Sequence, residues 1–78
     1  MKIRNDQIES LQFVADEVEG ELTSTYSGRG MFGKICYGII CDNHIETIEE
    51  AAINGITGAK FDQLGLGFIV YWPDLSDE

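Results

Sequence analysis

Basic residues are scarce in this chain. Five Lys and Arg stand against 14 Asp and Glu, a net charge of −9 on 8.7 kDa. Such a surface repels nucleic acid and anionic membranes and favours a basic partner instead. Long apolar runs are also missing. No stretch approaches the roughly 18 residues that span a bilayer. The opening Met1-Lys2-Ile3-Arg4-Asn5-Asp6 lacks the apolar core of a signal peptide. A cytoplasmic location is expected. One histidine and two cysteines supply no zinc set, and no acid spacing matches a calcium loop, so no metal or cofactor is expected. Cys36 and Cys41 are five apart in a predicted strand. Their side chains point to opposite faces, which predicts two free thiols in a reducing compartment.

What is present is enough to fold. Hydrophobic residues make up 44% of the 78, with four Phe, three Tyr and one Trp. Residues 1–78 read as a single small domain, well under the usual 100–150 or so. A chain this short buries only about 60% of its unfolded surface, so its core is thin and a homo-oligomer is expected.

The periodicities predict an α+β fold in the order α-β-β-α-β. Asn5 is positioned to cap a helix running through Glu19. Ile8, Leu11, Val14, Ala15 and Val18 form its apolar stripe, Phe13 lies opposite them, and Gly20 stops the helix. Residues 22–26 read as a strand, 27–33 as a glycine-rich turn and 34–41 as a second strand with two apolar faces, hence central. Gly38 marks a close backbone approach. Asp42 or Asn43 caps a second helix over residues 44–54, with Ile45, Ile48, Ala52 and Ile56 on its buried side. Residues 56–65 read as a connection, 66–72 as the third strand, and 74–78 as an acidic tail. The economical packing is a three-stranded, mainly antiparallel sheet with both helices on one face. Phe68 or Tyr71 would then occupy the other face, a natural dimer surface.

Residues 22–41 hold two bases, Arg29 and Lys34, and no acid, for a charge of +2; the remainder carries −11. Here Gly28, Gly30 and Gly33 match G-x-G-x-x-G. A dinucleotide-binding turn must lead from strand to helix, and this one leads to a strand. The local pattern resembles the glycine-rich loop of protein kinases, which does join two strands. Nothing resembles the other kinase signatures, and the chain is too short for a catalytic lobe. The surviving idea is a phosphate held by backbone N–H groups with Arg29 and Lys34, and a nucleotide as ligand. The plain alternative is a hairpin loop using Gly for positive φ.

Two further groups carry residue types that could do chemistry or bind a partner. Cys41, Asp42 and His44 are neighbours, but a strand end and a helix start leave their geometry open, and His44 reads as a surface residue. No catalytic residue is assigned and no enzyme is expected. Asp42, Glu46, Glu49 and Glu50, with Asp16, Glu17, Glu19 and Glu21, could mimic a nucleic-acid backbone toward a basic protein. The plain alternative is a set of solvated helix faces.

Three segments carry a wider resemblance. Residues 26–36, Gly58-Ala59-Lys60-Phe61-Asp62, and residues 65–73 around Gly67-Phe68-Ile69-Val70-Tyr71-Trp72 resemble small uncharacterised proteins of bacteriophages and prophages. That family has no established activity to carry over. The resemblance implies an accessory protein acting in a host cell. The leading expectation is a non-enzymatic inhibitor that binds a basic host protein or nuclease complex through Asp42, Glu46, Glu49 and Glu50. The alternatives are a nucleotide-sequestering protein using Gly28, Arg29, Gly30, Gly33 and Lys34, and a structural or assembly module.

Overall fold

The computed structural model describes residues 2–77. Its elements are α1 (Asn5–Glu17), β1 (Glu21–Tyr26), β2 (Cys36–Cys41), α2 (His44–Ile53), β3 (Lys60–Leu64) and β4 (Gly67–Trp72). The α+β class stands, but the sheet has four strands rather than three. They run antiparallel in the order β1-β2-β4-β3. The added strand, β3, lies in the expected connection over residues 56–65. It is an edge strand with four of its five residues exposed, so its sequence shows little apolar alternation. The turn defines it. Leu64 pairs with Gly67 across Gly65 and Leu66, and Gly65 has φ +61. Positive φ at the first loop position alone is the type II′ pattern, which suits the twist of a hairpin.

β2 is central, and its two faces serve two clusters. Tyr37, Ile39 and Cys41 join the main core beneath both helices, with Leu11 and Val14 of α1, Ala51 of α2, and Val70 and Trp72 of β4. Cys36 faces the other way, beside Met31 and Tyr71. The two buried thiols therefore sit on opposite faces, and both are free. A Cβ on Gly38 would lie 3.0 Å from the Val70 carbonyl oxygen and 3.2 Å from the Tyr71 Cβ, so a close approach does require glycine there. Tyr71 lies on the face away from the helices. Phe68, three residues earlier, packs on the helix side, as strand alternation demands.

The helix ends differ from expectation in ways the backbone explains. Arg4, not Asn5, precedes the first turn of α1, and its N–H donates to the Gln7 side chain at 3.0 Å. At the other end the helix stops at Glu17. Gly20 donates to the Ala15 carbonyl at 2.7 Å and Glu19 to the Asp16 carbonyl at 3.3 Å, the paired bonds of a Schellman ending. The left-handed residue in that motif is Glu19, at φ +56, rather than Gly20. Gly20 is needed for a different reason. A Cβ there would meet the Ile40 carbonyl oxygen at 2.5 Å.

α2 is capped by Asn43, whose side chain accepts the Glu46 N–H at 3.1 Å. Its buried seam is Thr47 and Ala51, flanked by Ile48 and followed by Ile56. Ile45 and Ala52, expected inside, are outside. Two small side chains let the helix settle closely on the sheet. The Thr47 hydroxyl, donating to the Asn43 carbonyl at 3.0 Å, can be buried at little cost. The acidic segment after β4 also docks. Leu75 is buried, its carbonyl accepts the Tyr37 N–H at 2.9 Å, and Asp77 accepts the Tyr37 hydroxyl at 2.7 Å.

These helix ends predict opposite outcomes for adjacent residues. Glu19→Gly should stabilise the fold by about 1 kcal/mol, by relieving a left-handed non-glycine residue and removing a carboxylate from the negative end of a helix. Gly20→Ala should destabilise it by about 1–3 kcal/mol through the clash with strand backbone. Urea denaturation of both variants checks the signs; a Glu19→Gly protein weaker than wild type would contradict the strain.

Candidate functional site

The glycine-rich segment between β1 and β2 does not stand free. It arches back over the sheet face that the helices leave open. Gly28 lies on the Tyr71 ring so closely that a Cβ would come within 2.6 Å of the ring's Cζ. Met31 tucks under the arch, with its sulfur 3.9 Å from Cys36 Sγ and accepting the Gly28 N–H at 3.1 Å. The Met31 N–H donates to the Gly28 carbonyl at 3.3 Å, and the Lys34 N–H to the Met31 carbonyl at 3.1 Å. Gly30 and Gly33, at φ +76 and +84, supply backbone freedom in open space. Phe32, also left-handed at φ +53, points almost wholly into solvent.

Arg29 and Lys34 are not brought together. Arg29 lines a cleft of about 450 Å³ with Tyr26, Ser27, Phe61, Asp62 and Gln63. Lys34 lines a separate hollow of about 220 Å³ with Gly30, Met31, Phe32 and Pro73. Three amides of the arch, those of Gly28, Met31 and Lys34, are already bonded within it. Of the five residues read as a phosphate cradle, Arg29 lines one hollow, Gly30 and Lys34 line another, and Gly28 and Gly33 line neither.

The Arg29 cleft is floored by a pair that sequence reading missed. The Tyr26 hydroxyl donates to Asp62 Oδ2 at 2.7 Å, across the open face from β1 to β3. The Tyr26 and Tyr71 rings lie 4.9 Å apart. Burial, followed by the bond to Asp62, pushes the Tyr26 phenol up to about 12. Tyr71 is raised by burial and by the Asp62 charge, against an opposing pull from Arg29. Arg29 makes no ion pair among the described residues. The signal that could have located Asp62 was Gly65-Leu66, a two-residue hairpin loop between short strands.

The acidic residues divide as well. Glu46 and Glu49 are exposed on α2, while Glu50 is half-buried. Asp42 precedes the helix and lines a second groove of about 450 Å³, with Glu19 and Glu21 at its rim and Ile40 and Leu64 among its apolar walls. Glu46 and Glu49 are flanked along the helix by Ile45, expected inside, and by Ile53. Ile45 is 59% exposed and Ile53 78%, and with Glu49 they stand four apart along one face. His44 is not a plain surface residue. It is half-buried between Phe61 and Phe68, with both ring centroids at 4.2 Å, and its Nδ1 is buried without a hydrogen-bond partner. Cys41 lies in the main core. Among the described residues no three His, Cys, Asp or Glu side chains converge as a metal site.

The tyrosines predict an alkaline limit. A phenol raised in the folded state favours the neutral form. Its contribution is complete below about pH 10 and is lost as pH climbs toward the folded value. Tyr37 is raised too, by its bond to Asp77 and then by burial. Native protein should show little tyrosinate absorbance at about pH 10 and should lose stability from there toward about 12. Tyr26 half-ionised at about pH 10 in the native protein would contradict its bond to Asp62.

Compared with known proteins, the chain matches no family model, no curated protein and no solved structure.

Proposed function

We propose that the chain is a non-enzymatic accessory protein of the phage type, which inhibits a host macromolecule by occupying a basic site on it. The observation that supports this is the outer face of α2. There Ile45 and Ile53, both well exposed, flank Glu46 and Glu49. A solvated helix face has no use for two large isoleucines. A docking face does, because desolvated apolar anchors supply affinity while surrounding charges select the partner and speed the encounter. The acids elsewhere fit the same purpose. Neither helix has a basic residue in its last turn. Asp16 and Glu17 instead close α1, each opposing the helix dipole at a cost of about 0.3–1 kcal/mol. Beyond the hydrogen bond that Asp16 accepts from Gln12 at 3.1 Å, those charges work against the helix, and a basic partner would use them. A defence nuclease complex with a basic nucleic-acid channel is the class of target that the resemblance to phage proteins suggests.

The test is a host protein captured on the immobilised chain and then measured by rate against variants. Its association should slow steeply with salt. Glu46→Lys with Glu49→Lys should slow it further, and Ile53→Asp should speed release. Folding should change by only about 0.5 kcal/mol, since these positions are exposed. An on-rate indifferent to both salt and charge reversal would end the reading.

A second reading has its own observation, the unpaired Arg29 in its cleft beside Phe61 and Gln63. That guanidinium could hold the phosphate of a nucleotide. A ligand at a hundred times its dissociation constant stabilises the native state by about 2.7 kcal/mol, several degrees in a domain of this size. Arg29→Ala should abolish the thermal shift and Lys34→Ala should leave it, because Lys34 lines a different hollow. No shift with mono-, di- or cyclic nucleotides removes this alternative.

A further inference from the structure

The sheet ends on two open edges, and they are not alike. β1 slips register against β2 between Thr23 and Tyr26. An irregularity of that kind twists an edge away from further pairing. β3 runs against β4 in unbroken register and contains no proline. Among the described residues, no backbone bond outside the β3–β4 ladder reaches residues 60–64. The direction of its free groups follows from the turn. A two-residue loop makes Leu64 and Gly67 a hydrogen-bonded pair, and bonded pairs then alternate along the ladder. Lys60 and Asp62 therefore bond inward to β4. The N–H and C=O groups of Phe61 and Gln63 point outward.

We propose that β3 pairs with β3 of a second copy of this chain, antiparallel and centred on Phe61, joining two four-stranded sheets into one of eight. In that register Phe61 and Phe61 of the partner subunit exchange both backbone bonds, and their rings meet on the helix side. On the open face Lys60 stands opposite Asp62 of the partner subunit, and Asp62 opposite Lys60 of the partner subunit. Opposite charges thus meet twice across the join. Other centres do worse. A centre on Asp62 sets two carboxylates face to face. A centre on Gln63 leaves Lys60 without a counter-charge and sets Phe61 opposite Gly65 of the partner subunit. Charges on an edge strand ordinarily prevent pairing. Here they are spaced to complement themselves. Phe61 is 48% exposed in the single chain and is already stacked on His44, so a second ring would complete a cluster left open on one side. The two-fold axis stands perpendicular to the sheet, which keeps both helix layers on one side and sets two α2 faces beside each other.

Light scattering at high micromolar concentration should give twice 8.7 kDa. Lys60→Glu should weaken the dimer roughly tenfold, because two attractive cross-strand pairs become repulsive. Its circular dichroism should stay that of the wild type, since Lys60 is exposed. Phe61→Cys should form an interchain disulfide on mild oxidation, its Cα atoms falling about 5.5 Å apart in a bonded pair. Leu66→Cys, more exposed but out of register, should not. A monomer at high micromolar concentration overturns the proposal. So does a dimer that tolerates Lys60→Glu and crosslinks no faster through residue 61 than through residue 66.

Discussion

A single sheet has two faces to keep from water, and in this chain only one is covered by helices. The rest of the structure depends on how the other is closed. The arch between β1 and β2 does it with few groups. Gly28 lies flat on Tyr71, Met31 fills the space over Cys36, and the Tyr26 hydroxyl crosses to Asp62. That last bond ties one edge strand to the other over the top of the two central strands. It links residues 36 positions apart in sequence and contributes a charge-assisted contact in a partly buried setting. Without the arch, Cys36 and Tyr71 would lie open, and a core already thin for its length would lose one of its two clusters.

Closing that face internally changes what the molecule has left to offer a partner. The sheet surface first expected to dimerise is already occupied. Exposed apolar area moves to the outer turns of α2, to Phe61 on the β3 edge, and to Phe32 and Leu66 at loop tips. The split seen in the charges keeps its meaning. The stretch without acids builds the arch and the two strands it joins. The acids collect on the helices and at the junctions around Glu19, Glu21 and Asp42.

Legibility from sequence followed burial. β2 was readable because both of its faces are apolar, and Gly38 was readable because a glycine inside such a strand implies a close neighbour. α1 was readable through its stripe. β3 was not, because an edge strand has little to bury and so little pattern to show. With β3 went Asp62, and with Asp62 the cleft. The phase of α2 was misjudged because hydrophobicity favours Ile45 and Ala52 over Thr47, whereas a capped threonine hydroxyl and a small alanine allow closer packing. Arg29 and Lys34 looked like partners because they are five apart with glycines between them. Three left-handed residues in the arch, at positions 30, 32 and 33, turn the chain enough to separate them.

The keystone of the arch is a thioether. The Met31 sulfur accepts the Gly28 N–H and touches Cys36 Sγ, in a residue that is 9% exposed. Sulfur can gain an oxygen where a leucine could not. A sulfoxide in that position is larger and polar, and it would have to be accommodated against a buried thiol and an aromatic ring. The loop that carries Arg29 and Phe32 is thus fastened by a side chain whose fit can be undone by oxidation and restored by reduction.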